Sequence, residues 1–383
     1  MASKPCDAVI VGGGIVGANC AVQLSRAGVD DVVVLEADGP ASKASGRAAG
    51  NLTTYRHERF GPDASRFGRE LYEEYEDKYD DLTLHRDQSY SIAYSEEGAE
   101  HLRSEYKTTT FETEFLDAAA LANREPAFAT EGVTGALRFE NAVFTDPEQL
   151  TLAAHAVAKD EGVIVDVTKA EGFETEDEQI TVETTDDTYK APVVVVAAGA
   201  WSKKLLKLAG TDAALQPRTS QIAILDTPNE IDLPMWAAPD FSIYGRSTPD
   251  GRVLFGGGTE TLIRDLEGFK NRAQMPFLDQ LAEHAPNIVP ALEGATLYDD
   301  WAGRVTATPD RYPYIGETEV DGMYLCAGFN GEGISNSPFG ARLLADLVVD
   351  REPIVDPTEF DPMRFNGDEE FEISNAVEWW ADR

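Results

Sequence analysis

The chain has 383 residues, 42% of them hydrophobic, enough for a large core and for two or three domain-sized units. Its 69 acidic residues against 32 Lys and Arg give a net charge of −37. That argues against nucleic acid and anionic membranes as partners, and its spread from Glu73-Glu74 to Glu369-Glu370 reads as a hydrated surface suited to high salt rather than one acidic docking patch.

Three cysteines, Cys6, Cys20 and Cys326, are widely spaced and odd in number, which argues against a disulfide framework or zinc site and for a reducing cytoplasm. No run is apolar for long enough to span a bilayer. The first apolar run reads as a strand rather than a signal peptide.

That run, Asp7 to Val11, enters Gly12-Gly13-Gly14-Ile15-Val16-Gly17. An apolar run before glycines predicts a buried parallel strand. Gly12, Gly14 and Gly17 fit G-x-G-x-x-G: a tight turn, an approach for pyrophosphate, and close packing of helix on strand. The helix, from about Ile15 to Ser25 with Gly28 as its end signal, points its N-terminus at the phosphates. Glu36 closes a second strand, Val32 to Glu36, where a carboxylate can accept hydrogen bonds from ribose hydroxyls. The motif predicts a dinucleotide site without separating FAD from NAD. A second small-residue loop, Ala44 to Asn51, suits the longer FAD, with an ordinary surface turn as the alternative.

Tyr55-Arg56-His57 and Phe60-Gly61 precede an amphipathic helix, about Ala64 to Tyr79, whose Phe67, Leu71, Tyr75 and Tyr79 recur at helical spacing and belong to the core. Residues 84–144 read as a mixed segment of short strands and helices. Asp146 and Pro147 predict the N-cap and first position of a helix to about Glu161. A strand follows at Val163 to Val167. Ile180 to Thr184 pairs as a hairpin with the Lys169–Glu174 region, and Val193 to Val196 is another buried parallel strand. Gln221 to Leu225, Phe241 to Tyr244 and Val253 to Gly256 suggest an antiparallel sheet, followed by a helix near Pro276 to His284. After a strand at 322–328, Ser337 and Pro338 predict the N-cap and first position of a helix to about Asp350. The acidic tail with Trp379-Trp380 is a candidate docking helix or a mobile end.

Four blocks in this order resemble the D-amino-acid oxidase superfamily of FAD enzymes, nearest its glycine oxidase and sarcosine oxidase branch: Gly12–Gly17 with Glu36, Ala44–Asn51, Val193–Ser202, and Trp301–Gly316 with Gly328–Gly340. The resemblance implies an α/β fold, with a Rossmann-like FAD-binding domain (residues 1–84, 145–220 and 300–383) and an inserted antiparallel-sheet substrate domain (85–144 and 221–299). It implies cofactor contacts at Gly12, Gly14, Ile15, Val16, Gly17, Glu36 and Ala37, and in the second loop at Ser45, Gly46, Arg47, Ala49, Gly50 and Asn51. Further contacts are implied at Val167, at Ala198, Gly199 and Trp201, at Gly303, and at Gly328, Asn330, Gly331, Glu332, Gly333 and Ile334. Gly303 holds the place of the cysteine that attaches flavin in monomeric sarcosine oxidase, so FAD is expected to be non-covalent.

The implied chemistry is oxidation of the C–N bond of a small amino acid or N-methyl amino acid by hydride transfer to flavin N5. The electron acceptor is oxygen or an unknown carrier. Arg56 matches the branch's carboxylate-binding arginine, and a guanidinium binds a carboxylate through two parallel hydrogen bonds. The alternative for Arg56 is a surface pair with one of the many acids. His57, Tyr244, Arg246 and Arg304 are further candidates near the substrate, with structural pairing as their alternative. Arg304 lies one residue before the position of the family arginine, Val305. The branch's lysines for oxygen and for substrate fall near Leu254 and Ser335, and their loss tilts the reading toward a dehydrogenase.

No Gly-x-Ser-x-Gly, His-Glu-x-x-His or Cys-x-x-Cys occurs, and the five histidines form no metal spacing. Two rivals remain: a flavoenzyme of the same fold acting on a 2-hydroxy acid, and a non-catalytic FAD-binding subunit.

Overall fold

The computed structural model describes residues 3–258, 260–369 and 371–372. The strand Ala8–Val11, fully buried, sits inside a six-stranded sheet. From one edge the order is Tyr314–Glu317, Met323–Ala327, Val193–Val196, Ala8–Val11, Val32–Glu36 and Ile164–Val167. All neighbours run parallel except the edge strand Tyr314–Glu317. Strands buried on both faces need continuous apolar runs, and Val193–Val196 and Val32–Leu35 supply them.

Helices Ile15–Ala27, Pro62–Lys78, Pro147–Asp160 and Gly333–Val348 pack into one core with one face of this sheet. On the other face lie helix Ser202–Leu208 and a small sheet that carries the hairpin Ala170–Glu176/Gln179–Thr184. The expected cap at Asp146 is present: its carboxylate accepts from the N–H groups of Glu148 and Gln149.

The expected start of the last helix is corrected. It begins at Gly333, and Pro338 lies inside it. Proline cannot donate to the carbonyl four residues back. Here Tyr72 Oη donates to that carbonyl, Ile334 O, at 2.6 Å. Ser337 is fully buried and accepts from Asn19 Nδ2 at 2.9 Å rather than capping. A long-range partner thus overrides a local cap signal.

A second sheet of nine strands stands beside the first. Its path runs Thr296–Ala307, Gln216–Asp226, Val253–Gly257, Ile243–Ser247, Met235–Ala238, His85–Ala93, Gly135–Phe144 and Asn51–Leu52, with Thr113–Leu116 also on Gly135–Phe144. It is antiparallel apart from Met235–Ala238 beside His85–Ala93. The expected strand at 241–244 is a short turn, Pro239–Phe241, followed by the strand Ile243–Ser247. The expected domain seams at 220/221 and 299/300 fall inside Gln216–Asp226 and Thr296–Ala307, which pair along their length. Among the described residues no helix is long and apolar enough to cross a membrane. Trp379-Trp380 lies outside the described residues.

Candidate active site

The turn from Ala8–Val11 into helix Ile15–Ala27 is built by backbone proximity. Gly12 adopts φ +117°, and a Cβ there would lie 2.5 Å from Ala197 O; a Cβ on Gly17 would lie 1.8 Å from Gly12 O. No side chain fits at either position, which is why the motif demands glycine. Glu36 braces the turn. Its Oε2 accepts from the Gly13 N–H at 2.6 Å and its Oε1 from the Asp38 N–H at 3.0 Å. A carboxylate has about four acceptor sites, so capacity remains for ribose hydroxyls. Ser45 Oγ accepts from the Ile15 N–H at 3.0 Å, joining the second loop to the helix start.

His155 lies beneath the same turn. Its Nε2 is 2.7 Å from Gly13 O, and a carbonyl only accepts, so Nε2 carries the proton. Burial holds its pKa below the usual 6.5.

A cavity of about 890 Å³ runs from Glu36 and Ser45 to the start of helix Gly333–Val348. It is bordered by Gly12, Gly14, Ile15, Val16, Glu36 and Ala37, and by Ser45, Arg47, Ala49, Gly50 and Asn51. Ala198, Gly199, Trp201 and Gly303 follow, and the far end is formed by Gly328 and by Asn330 to Ile334.

Three expected contacts do not border it. Gly17 packs against Gly12. Gly46 faces Ala41 O, 2.3 Å from where its Cβ would be. Val167 is 63% exposed, and its neighbour Thr168 borders the cavity instead, because successive strand residues face opposite ways.

The far end is locked by side chains. Asn330 Nδ2 donates to Gly328 O at 2.6 Å, and its Oδ1 accepts from the Thr308 N–H at 3.0 Å. Ser335 Oγ accepts from the Thr53 N–H at 2.9 Å and donates to Asn51 O at 3.0 Å. Ser335 therefore holds the segment leading to Arg56. Helix Gly333–Val348 directs its positive end at the cavity, a place suited to negative charge.

The candidate substrate residues separate into two groups. Arg56 borders the cavity, is 4% exposed, and donates from Nη1 to Ser89 Oγ at 2.9 Å. Tyr244 also borders it, laid across Gly256, where a Cβ would fall 2.1 Å from the ring. Burial pushes its hydroxyl up to about 12, so it remains a donor. Ser89 and Met235 are register partners, as are Tyr244 and Ala237, and all four border the cavity.

His57 does not border it; Nδ1 lies 3.1 Å from Glu105 Oε1 and the ring meets the Phe139 edge. Arg246 is also absent from the cavity wall. Its Nη2 donates to Ala49 O at 2.8 Å and its Nε to Asn51 Oδ1 at 3.3 Å, over the Phe144 ring. Burial lowers its pKa to about 10. Arg304 borders the cavity but is engaged with a covering loop: it donates to Leu266 O at 3.2 and 3.1 Å and to Asn271 Oδ1 at 2.9 Å, between Trp201 and Phe269. Leu254 is buried in its strand, away from the cavity.

Charged residues outside the expected set also border the cavity, among them Arg59, Lys43, Glu260 and Arg311. Arg59 Nη1 donates to Glu332 Oε2 at 2.7 Å. The residue beside the branch motif, Arg59, was visible in sequence only as a second arginine. Nothing local marks Glu260 or Arg311.

The match to the family model for FAD dependent oxidoreductases spans residues 7–347. The chain belongs to this FAD-dependent oxidoreductase family. The family binds FAD, and the donor set fits it: a side-chain-free turn, the Glu36 acceptor, and a helix N-terminus at the far end. Dimethylglycine dehydrogenase of Rattus norvegicus is 28% identical over 94% of this chain, but only 45% of its own length is covered. The chain thus spans about half the length of that relative. Glycine oxidase of Geobacillus kaustophilus is 26% identical, over 94% of this chain and 97% of the oxidase. The crystal structure of that organism's glycine oxidase superposes with a TM-score of 0.84 at 25% identity, over 95% of this chain and 100% of the oxidase. L-proline dehydrogenase from P. horikoshii shares the fold, with a TM-score of 0.85 at 24% identity, over 95% and 98% of the two chains.

Proposed function

We propose that this family member oxidises the C–N bond of a small carboxylate-bearing amine and acts as a dehydrogenase, handing electrons to a carrier faster than to oxygen. Arg56 carries the reading. It is a buried guanidinium on the cavity wall, braced by Ser89, and it suits a substrate carboxylate. Relatives named for dimethylglycine and glycine act on ligands of that kind. FAD, when bound, supplies the hydride acceptor. The chain's own residues orient the substrate: Arg56 takes its carboxylate, Tyr244 offers a hydroxyl donor, and Met235, Trp236 and Ala237 exclude water. FAD is held at Gly12–Val16, Glu36, the 45–51 loop and the 328–334 loop, without a covalent link at Gly303.

Loss of lysine at Leu254 and Ser335 supports the dehydrogenase assignment. The lysines that border the cavity among the described residues, Lys43, Lys169 and Lys204, stand with the loops near Glu36 and Trp201, away from the Arg56 end.

Anaerobic bleaching of the flavin in molar salt tests this. Sarcosine, dimethylglycine, glycine, L-proline and D-amino acids are added, and air is then admitted. Bleaching by at least one of these amines and slow reoxidation in air are expected. A yellow protein bleached by none of them, but by 2-hydroxy acids, would replace C–N by C–O oxidation. Fast reoxidation would make it an oxidase.

A further inference from the structure

The cavity holds five carboxylates whose chemistry is already spoken for. Glu36 braces the glycine turn, Glu332 meets Arg59, Glu267 accepts from Trp201 Nε1, Asp38 pairs with Lys43, and Glu171 lies beside Lys169. Glu260 differs. It follows strand Val253–Gly257 and the turn glycines Gly257 and Gly258, and borders the same cavity as Arg56, Ser89 and Tyr244. Among the described residues it has neither a hydrogen-bond donor nor an ion-pair partner.

The charged and titratable groups that face it come from three other elements. Arg218 stands on Gln216–Asp226, Arg311 in the turn after Thr296–Ala307, and Tyr244 on Ile243–Ser247. Both arginines favour its charged form, but loss of water outweighs them, and the carboxyl is pushed up to about 7. A carboxylate that loses water without gaining a donor is costly unless a ligand supplies one. Arg56 offers the cavity a cation and Glu260 an anion, a pairing that complements a zwitterion with carboxylate and ammonium.

We infer that Glu260 is a catalytic base that takes the proton of the substrate's ammonium, so that the amine reaches the flavin with its lone pair available. This rests on the C–N oxidation reading above. The N–H bond breaks, its electron pair stays on nitrogen, and the proton goes to a Glu260 carboxylate oxygen. Cation and anion become neutral amine and carboxylic acid. No oxidant enters this step. The lone pair then pushes as the α-carbon gives up hydride. A base whose pKa lies near neutrality suits the task, whereas Tyr244 holds its proton and His57 is turned toward Glu105.

The test uses the FAD-loaded full chain, Glu260→Gln and Glu260→Asp, with flavin content and thermal unfolding checked first. In anaerobic rapid mixing, wild-type bleaching efficiency should rise with pH to a plateau above about 7. The Gln variant should lose about a hundredfold or more at neutral pH. It should recover as pH approaches the amine's own value, roughly 10. The Asp variant should keep the lower break at a reduced rate.

Trimethylglycine, which carries the positive charge but no N–H, provides a second readout through the flavin spectrum. Its affinity for wild type should tighten as pH rises through neutrality, while the Gln variant should be flat. A Gln variant that matches wild type at neutral pH, or keeps the same break and the same trimethylglycine profile, overturns the assignment. If wild type is bleached by no amine, the C–N reading falls, and the trimethylglycine titration alone then decides whether Glu260 meets a cation.

Discussion

At the residue scale, the candidate arginines show how one side-chain type takes different work from its surroundings. Arg246 and Arg304 each spend their donors on backbone carbonyls and side-chain amides, and each lies over aromatic rings. They shape the loops around the cavity. Arg56 keeps its guanidinium on the wall, where Nη1 donates to Ser89. Arg56→Lys retains the charge and loses the planar fork of donors. Flavin content should be unchanged and the efficiency of bleaching should fall by about a hundredfold, since a misplaced substrate loses roughly that much. A substrate series in anaerobic mixing measures it. A Lys variant as efficient as the parent would remove Arg56 from substrate binding.

At the element scale, helix Pro147–Asp160 bears on the nucleotide turn through one residue. His155 donates to Gly13 O, and its Nδ1 has no partner among the described residues. Protonation would place a charge on that buried atom, so burial keeps the folded pKa below 6.5. The sign follows. In the window between 6.5 and the lower folded value, the unfolded chain binds more protons than the native one. Stability therefore rises with pH across that window and is lost as acid is added. His155→Gln can retain an N–H donor while removing the titration. Its Tm against pH below about 6.5 should be flatter than wild type, as followed by thermal unfolding. An unchanged slope would assign the acid sensitivity to other groups.

At the scale of the whole molecule, the net charge of −37 bears on stability rather than on the site. Several ion pairs, such as Lys4–Asp187 and Arg66–Asp63, are exposed and contribute little each. Self-repulsion among the excess acids opposes the compact state, and salt shortens its range from ~10 Å at 0.1 M to ~3 Å at 1 M. Tm should therefore rise between those concentrations in NaCl, a salt less excluded from surfaces than sulfate. Scans in both salts separate screening from exclusion. A Tm that falls with NaCl would assign the acidic surface to a partner instead.

Much of the nucleotide half was legible because its signals are local. Gly12, Gly14 and Gly17, the apolar strands on either side, Glu36, and the Asp146-Pro147 cap all act within a few residues of themselves, so spacing and side-chain type sufficed. The antiparallel sheet was legible as alternation, but its strand ends and its seam with the nucleotide half were not. Pairing over the whole of Gln216–Asp226 and Thr296–Ala307 is a matter between distant segments.

Of the residues expected near the substrate, Arg56, Tyr244 and Arg304 border the cavity, and only at Arg56 did a motif match mark the position. His57 pairs with Glu105, Arg246 supports Ala49 and Asn51, and Ser337 is buried against Asn19, each by a contact that chain order does not announce. The sequence by itself determined the glycine turn, the acid that closes the second strand and the parallel strands, since turn geometry and helix dipoles are properties of short stretches. Only the tertiary structure decided which charges face the cavity and which are neutralised behind it, because desolvation and partner choice depend on what the fold brings alongside.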